Sequence, residues 1–251
     1  MALVRIRFSK LGKIRWTSHR DVARMWERAF RRERLPLAYT GGFSPRPKVS
    51  FGLALSTGHE SLAEYLDVHV EGSGEDLNIS EWPQRLSAAL PVGVDSMFAL
   101  EIPDGVPSLQ QEVTSSSWRL VAAPAGDSAR VEVAEMDQRV AALLAAPEVV
   151  VTRSRKGIET TSDIRDGILS LRVLGPERGD AGEGVWLETE LAAQPRSLRP
   201  SELLAALGSD VEERHVRRTN QWISRSGTRF EPLDVALGVA TGAPRAMEHA
   251  S

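Results

Sequence analysis

The stretch Val4-Arg-Ile-Arg-Phe-Ser9, followed by Ser18-His-Arg-Asp-Val-Ala-Arg-Met-Trp-Glu-Arg-Ala-Phe-Arg-Arg-Glu-Arg34, decides the fold class. Val4, Ile6 and Phe8 alternate with Arg5, Arg7 and Ser9, the period-two pattern of a half-buried strand whose outer face is cationic. Ser18 stands three residues before Asp21 as a capping box, and Val22, Met25, Trp26, Ala29 and Phe30 follow at helical spacing. The spacing predicts a helix over about 19–34. Its far flank carries Arg20, Arg24, Arg28, Arg31 and Arg32, like charges that repel one another and favour a bound anion.

Further along the chain, the glycines and prolines of Tyr39-Thr-Gly-Gly-Phe-Ser-Pro-Arg-Pro-Lys48 break regular structure. Val49, Phe51, Leu53 and Leu55 then alternate with Ser50, Gly52 and Ala54, a second strand with a small outer face. A third strand follows at 64–70, with Leu66, Val68 and Val70 inward and Tyr65, Asp67 and His69 outward. A helix over 79–90 and a strand over 96–102 complete the order β-α-β-β-α-β. The same order is replayed from Trp118, ending in a helix between Pro200 and Gly208 and a long basic strand over 211–223. The expectation is an α+β protein of two tandem ferredoxin-like units with antiparallel sheets. The domains are then 1–106, a linker over 107–117, a second unit over 118–230 and a disordered tail over 231–251.

Composition narrows the chemistry. At 251 residues, 41% hydrophobic and 26% charged, the chain is long enough for a substantial core and is not of disordered composition. It has no cysteine, which excludes disulfides, a thiolate nucleophile and Cys-ligated zinc or iron–sulfur clusters within this chain. No apolar run approaches the roughly 20 residues needed to span a bilayer, and the basic N-terminus lacks the apolar core of a signal peptide, so the expected location is cytoplasmic. The net charge of −3 conceals an asymmetry: residues 1–50 hold 13 Lys/Arg against 3 Asp/Glu, and the remainder hold 18 against 31. Such a division points to a polyanion site on the first segment.

The candidate site follows from that segment. Tyr39 and Phe43 offer faces on which bases can stack, while Arg46 and Lys48 meet phosphates and the prolines flanking Arg46 hold its guanidinium outward. Arg20, Arg24 and Arg28 on the helix, with Arg5, Arg7 and Arg15 before it, extend the surface, and His19 sits at the helix N-terminus where an anion is favoured. The plainer alternatives are a solvated basic helix, a Ser-His-Asp cap and loop aromatics folded into the core. The five histidines have no zinc-helix spacing and no phosphate-loop motif is present, so no catalytic residue is assigned. In the second half, Arg153-Ser-Arg-Lys156 reads as a charged turn, and alternation separates Arg214 and Arg218 from Arg217 and Arg225.

The runs Arg7-Phe-Ser-Lys-Leu-Gly-Lys-Ile-Arg15, Ser18-His-Arg-Asp21, Leu35-Pro-Leu-Ala-Tyr39, Gly42-Phe-Ser-Pro-Arg-Pro-Lys48 and Glu64-Tyr-Leu-Asp67, with Arg217-Arg-Thr219, resemble the radical SAM-linked (radical SAM-associated) protein family. The family has no assigned biochemical function. The resemblance implies association with a radical SAM protein that also binds cobalamin, so that the iron–sulfur cluster, S-adenosylmethionine and cobalamin lie on the partner and none on this chain. Related sequences often read Ser-His-Leu-Asp and Asn-Pro-His-Pro-Lys; here Arg20, Ser44 and Arg46 stand instead, which removes a loop histidine but keeps a cation for phosphate. The leading expectation is a non-catalytic accessory protein that presents RNA. The alternatives are a metal-free ribonuclease-like enzyme using His19 and Tyr39, and a module that only docks an acidic protein surface.

Overall fold

A computed structural model describes residues 1–234 apart from 73, 104, 127–129, 156 and 178–183. Strand β1 (Ala2–Lys10) leads through a short 3-10 turn to helix α1 (His19–Arg32), where the Ser18 Oγ accepts from the Asp21 N–H as the capping pattern predicts. Strands β2 (Val49–Phe51) and β3 (Glu60–Val70), helix α2 (Trp82–Ala89) and strand β4 (Val94–Ile102) follow. Both helices lie on one face of these strands. Val22, Trp26, Ala29 and Phe30 of α1 and Trp82 and Leu86 of α2 pack on Val4, Ile6, Phe8, Leu66, Val68 and Val70.

The second half runs α3 (Leu109–Glu112), β5 (Ser115–Pro124), α4 (Val133–Ala145), the hairpin β6 (Val150–Arg155) and β7 (Ile158–Asp163), β8 (Ile168–Pro176), β9 (Val185–Ala192), α5 (Pro200–Leu207), β10 (Val211–Arg225) and β11 (Thr228–Phe230). Helices α4 and α5 bury Met136, Val140, Leu143, Leu203, Leu204 and Leu207 against Trp118, Leu120, Val185 and Leu187. Among the described residues no helix is long and apolar enough to cross a membrane.

The expected pair of separate sheets is corrected: one nine-stranded, mostly antiparallel sheet joins both halves in the path β4-β1-β3-β10-β5-β9-β8. The junction is a short parallel pairing of Arg217 and Arg218 with Glu60 and Ser61. Strand β2 stops at Phe51 rather than Leu55, and the edge of β3 that it pairs at 66–68 is taken up by β10 at 60–61.

The strand face away from α1 and α2 is covered too. Tyr65, Ala63 and Ile223 form a small core there with Leu109 and Val113, and Leu53, Phe230 and Leu233 pack around it. The segment 107–117 is therefore no free linker: it holds α3 and the start of β5, with Leu109 and Val113 buried. Residues 231–234 of the expected disordered tail also pack on this face, with Asp234 buried; residues 235–251 lie outside the described residues.

Burial pushes the Tyr65 phenol well above its ordinary value, and its hydroxyl has no hydrogen-bond partner among the described residues. Tyr65→Phe is accordingly expected to leave stability at pH 7 unchanged or raised by up to about 1 kcal/mol. In the unfolded chain the phenol ionises near 10, while in the fold it stays protonated, so its contribution is present below about pH 10 and is lost as pH rises beyond it. Urea unfolding at pH 7 and pH 11 checks this, and the difference between the two proteins should move by about 1.4 kcal/mol in favour of the variant at pH 11.

Candidate nucleic-acid interface

The loop between α1 and β2 is a small braced hairpin. The Ala38 N–H donates to the His69 carbonyl at 2.8 Å, Lys48 N–H to Ala38 O at 2.8 Å, and Thr40 N–H to Arg46 O at 2.8 Å. The Arg46 N–H reaches the Thr40 Oγ1 at 3.0 Å, and Tyr39 forms a bridge with Pro47. Gly42 turns the tip with φ +110°, a conformation that side chains rarely adopt. The aromatics do not fold into the core: Phe43 is fully exposed and Tyr39 is 51% exposed. Arg46 is exposed and Lys48 half-buried. The backbone bonds thus present stacking faces beside cations without a large ordering cost on binding.

Helix α1 exposes a second set of cations. Arg20, Arg24, Arg28, Arg31 and Arg32 are exposed on its outer flank. Only Arg24 has a nearby carboxylate, Asp21 at 3.4 Å; Arg28 donates to the Arg24 carbonyl, and Arg20, Arg31 and Arg32 have no carboxylate partner among the described residues. The hairpin leaves α1 after Leu35 and returns at Phe51, whose ring lies 5.1 Å from that of His19 at the first turn. Its two ends therefore bracket the helix. His19 is exposed there.

Three predicted residues are not part of this surface. Arg5 and Arg7 project from the opposite face of β1. Arg5 is 1% exposed, clamps Asp67 at 2.7 and 2.9 Å and donates to the Pro232 carbonyl. Arg7 pairs with Glu231 at 2.7 Å. The alternation placed both side chains on the correct side of the strand, but that side is roofed by 231–234. Arg15 is turned to the Gly12 carbonyl, the Glu60 carboxylate at 3.7 Å and the ring of Trp16. The two groups of the ribonuclease alternative have different neighbours, His19 the ring of Phe51 and Tyr39 a bridge to Pro47. Among the described residues no cluster of His, Asp or Glu is placed to hold a metal ion.

Alternation places Arg217 and Arg218 on opposite sides of β10 as expected, but register shifts interrupt the strand after Arg214 and after Arg218, with His215 at φ +48°, so the alternation does not run its whole length. Arg218 is 3% exposed and bonds Glu64 at 2.9 Å and the carbonyls of Leu53 and Ala54. Burial lowers its pKa from the ordinary value, and the Glu64 charge opposes that shift. Arg217 points the other way, to Glu60 at 2.6 Å, and Arg225 pairs with Glu112.

The fold is an α+β protein with one large, mostly antiparallel sheet, and helix α1 and the loop before β2 each expose cations. The chain belongs to the family described as an uncharacterized protein conserved in bacteria (DUF2344), whose model matches residues 4–200. No curated protein matches it. Among solved structures it is similar, at 12% identity and a TM-score of 0.49, to a chain of a Cbf5-Nop10-Gar1 complex, covering 87% of this chain and 48% of that one. A second, from an H/ACA RNP bound to a substrate RNA containing 2'-deoxyuridine, is 12% identical with a TM-score of 0.45, covering 90% of this chain and 47% of that one. The chain spans about half the length of these solved chains.

Proposed function

We propose that the chain is an RNA-binding accessory protein of a radical SAM enzyme that carries cobalamin, and that it takes no covalent part in the reaction. The observation that supports RNA binding most directly is the fully exposed Phe43, with Tyr39 half-exposed and Arg46 exposed on the same braced hairpin, together with the exposed arginine flank of α1. An exposed aromatic costs solubility, and a base stacked on it returns roughly 1–3 kcal/mol. Arginines without carboxylate partners are free to replace the counterions of a phosphate backbone. The radical SAM part rests on the motif resemblance. With no cysteine here, the cluster would be held by the partner, together with S-adenosylmethionine and cobalamin. We also read the two halves as tandem ferredoxin-like units, each with two helices on one sheet face, merged through the β3–β10 seam.

The test is a salt titration of binding to small structured RNAs. The intact chain should show a steep negative slope of log affinity against log salt. Replacing Arg24, Arg28 and Arg46 together by Ala should leave the fold within about 0.5 kcal/mol per site, because all three are exposed. It should flatten the slope by about one unit for each phosphate that is no longer neutralised. Absence of binding at low salt, or an unchanged slope in the folded triple variant, overturns the reading. Co-purification with the radical SAM partner that survives ribonuclease while RNA binding is absent would favour docking on protein instead.

A further inference from the structure

A cleft of about 450 Å³ opens beside the seam, between the Leu53–Ser56 segment and the Arg196–Pro200 segment that enters α5. Four guanidinium groups line it: Arg153 from β6, Arg196 and Arg199 ahead of α5, and Arg218 from β10. Two carboxylates pair with them. Glu202 lies 2.6 Å from Arg196 and 3.8 Å from Arg153, and Glu64 holds Arg218 at 2.9 Å. Two positive charges are left over.

The wall of the cleft rests on a buried stacked pair. Arg218 stacks on the Trp118 ring with its guanidinium carbon 4.8 Å from the centroid, and the two residues are 3% and 5% exposed. Helix α5 begins at the same place with Pro200 in its first turn, and its N-terminal end adds a partial positive charge. Leu53, Leu55, Leu198 and Pro200 supply an apolar side.

We propose that this cleft is a site for a phosphate monoester on a small organic body, such as a mononucleotide or the 5′-phosphorylated end of an RNA strand. The dianion, about −1.5 to −2 at neutral pH, matches the two uncompensated charges. Its oxygens accept from Arg153 and Arg199. The volume lies within the range of small-molecule pockets, about 300–1,000 Å³, and admits one nucleotide. The site is separate from the α1 and hairpin surface, and does not depend on whether that surface binds RNA.

Calorimetric titration of the full chain with adenosine 5′-monophosphate, adenosine, and a short oligoribonucleotide with and without a 5′-phosphate tests the assignment. The phosphorylated ligands should bind at least tenfold more tightly than their unphosphorylated counterparts. Arg153→Ala with Arg199→Ala should lower that affinity at least tenfold while leaving the urea midpoint unchanged, because both side chains are exposed. The Arg24, Arg28 and Arg46 triple variant should bind the mononucleotide as the intact chain does, which separates this site from the RNA surface. Binding of the phosphorylated oligonucleotide without the mononucleotide identifies a strand end as the source; equal binding of both identifies a free nucleotide. No preference for the phosphorylated ligands, or unchanged binding by the double variant, overturns the proposal.

Discussion

Arg5→Ala is expected to destabilise the protein by about 3–5 kcal/mol, the range for removing one partner of a buried ion pair. The guanidinium is 1% exposed, and it grips both carboxylate oxygens of Asp67 from the neighbouring strand at 2.7 and 2.9 Å. Asp67 is itself 4% exposed, so without Arg5 it must either stay charged in a dry site or take up a proton. The Pro232 carbonyl loses a charged donor at the same time. Replacing both members by apolar residues of similar size, Arg5→Met with Asp67→Leu, should recover most of the loss, because the penalty lies in the orphaned charge rather than in the absence of attraction. Urea unfolding of the three proteins decides it. A cost below about 1 kcal/mol for the single change would mean that solvent reaches Asp67 and that this face is open. The exposed Arg24, by contrast, should cost at most about 0.5 kcal/mol when replaced.

The contrast between Arg5 and Arg24 shows how far local pattern reaches. Helical and strand periods report which side of an element a residue occupies, and they placed Val22, Trp26 and Phe30 in the core and Arg24 and Arg28 outside it correctly. They say nothing about what arrives later on the polar side. Arg5 and Arg7 are covered by residues more than two hundred positions downstream, and Tyr65 by α3, so their burial depends on contacts that no period records. The β3–β10 seam was hidden for the same reason. The separation of Arg217 from Arg218 was legible, but a register shift on each side of that pair breaks the alternation along the rest of β10. The exposed loop was legible because its information is local, Gly42, Pro45 and Pro47 among polar residues around two aromatics, but the backbone pairing that braces it through Ala38, Thr40 and His69 was not.

The segment after Phe230 should prove structural. A chain ending at Phe230 is expected to be less stable than one ending at Asp234 by about 4 kcal/mol. Four residues account for this difference. Glu231 accepts from Arg7 at 2.7 Å and from the Asn220 amide, and hydrogen bonds to charged groups contribute about 1.5–3 kcal/mol each. Pro232 offers its carbonyl to the buried Arg5 at 3.0 Å, and Leu233 packs on the small core around Tyr65. Because these groups share one surface their losses are not additive, and the expected figure is set below their sum. Glu231→Gln in the longer chain separates charge from packing: it keeps the cover in place but removes the ion pair with Arg7, which is still partly accessible, so it should cost no more than about 1–2 kcal/mol. Comparing urea midpoints of the two shortened chains isolates residues 231–234 from everything beyond them. Equal stability within about 0.5 kcal/mol would show that the cover does not form in solution. Arg7 would then face water and return to the set of cations available to a polyanion.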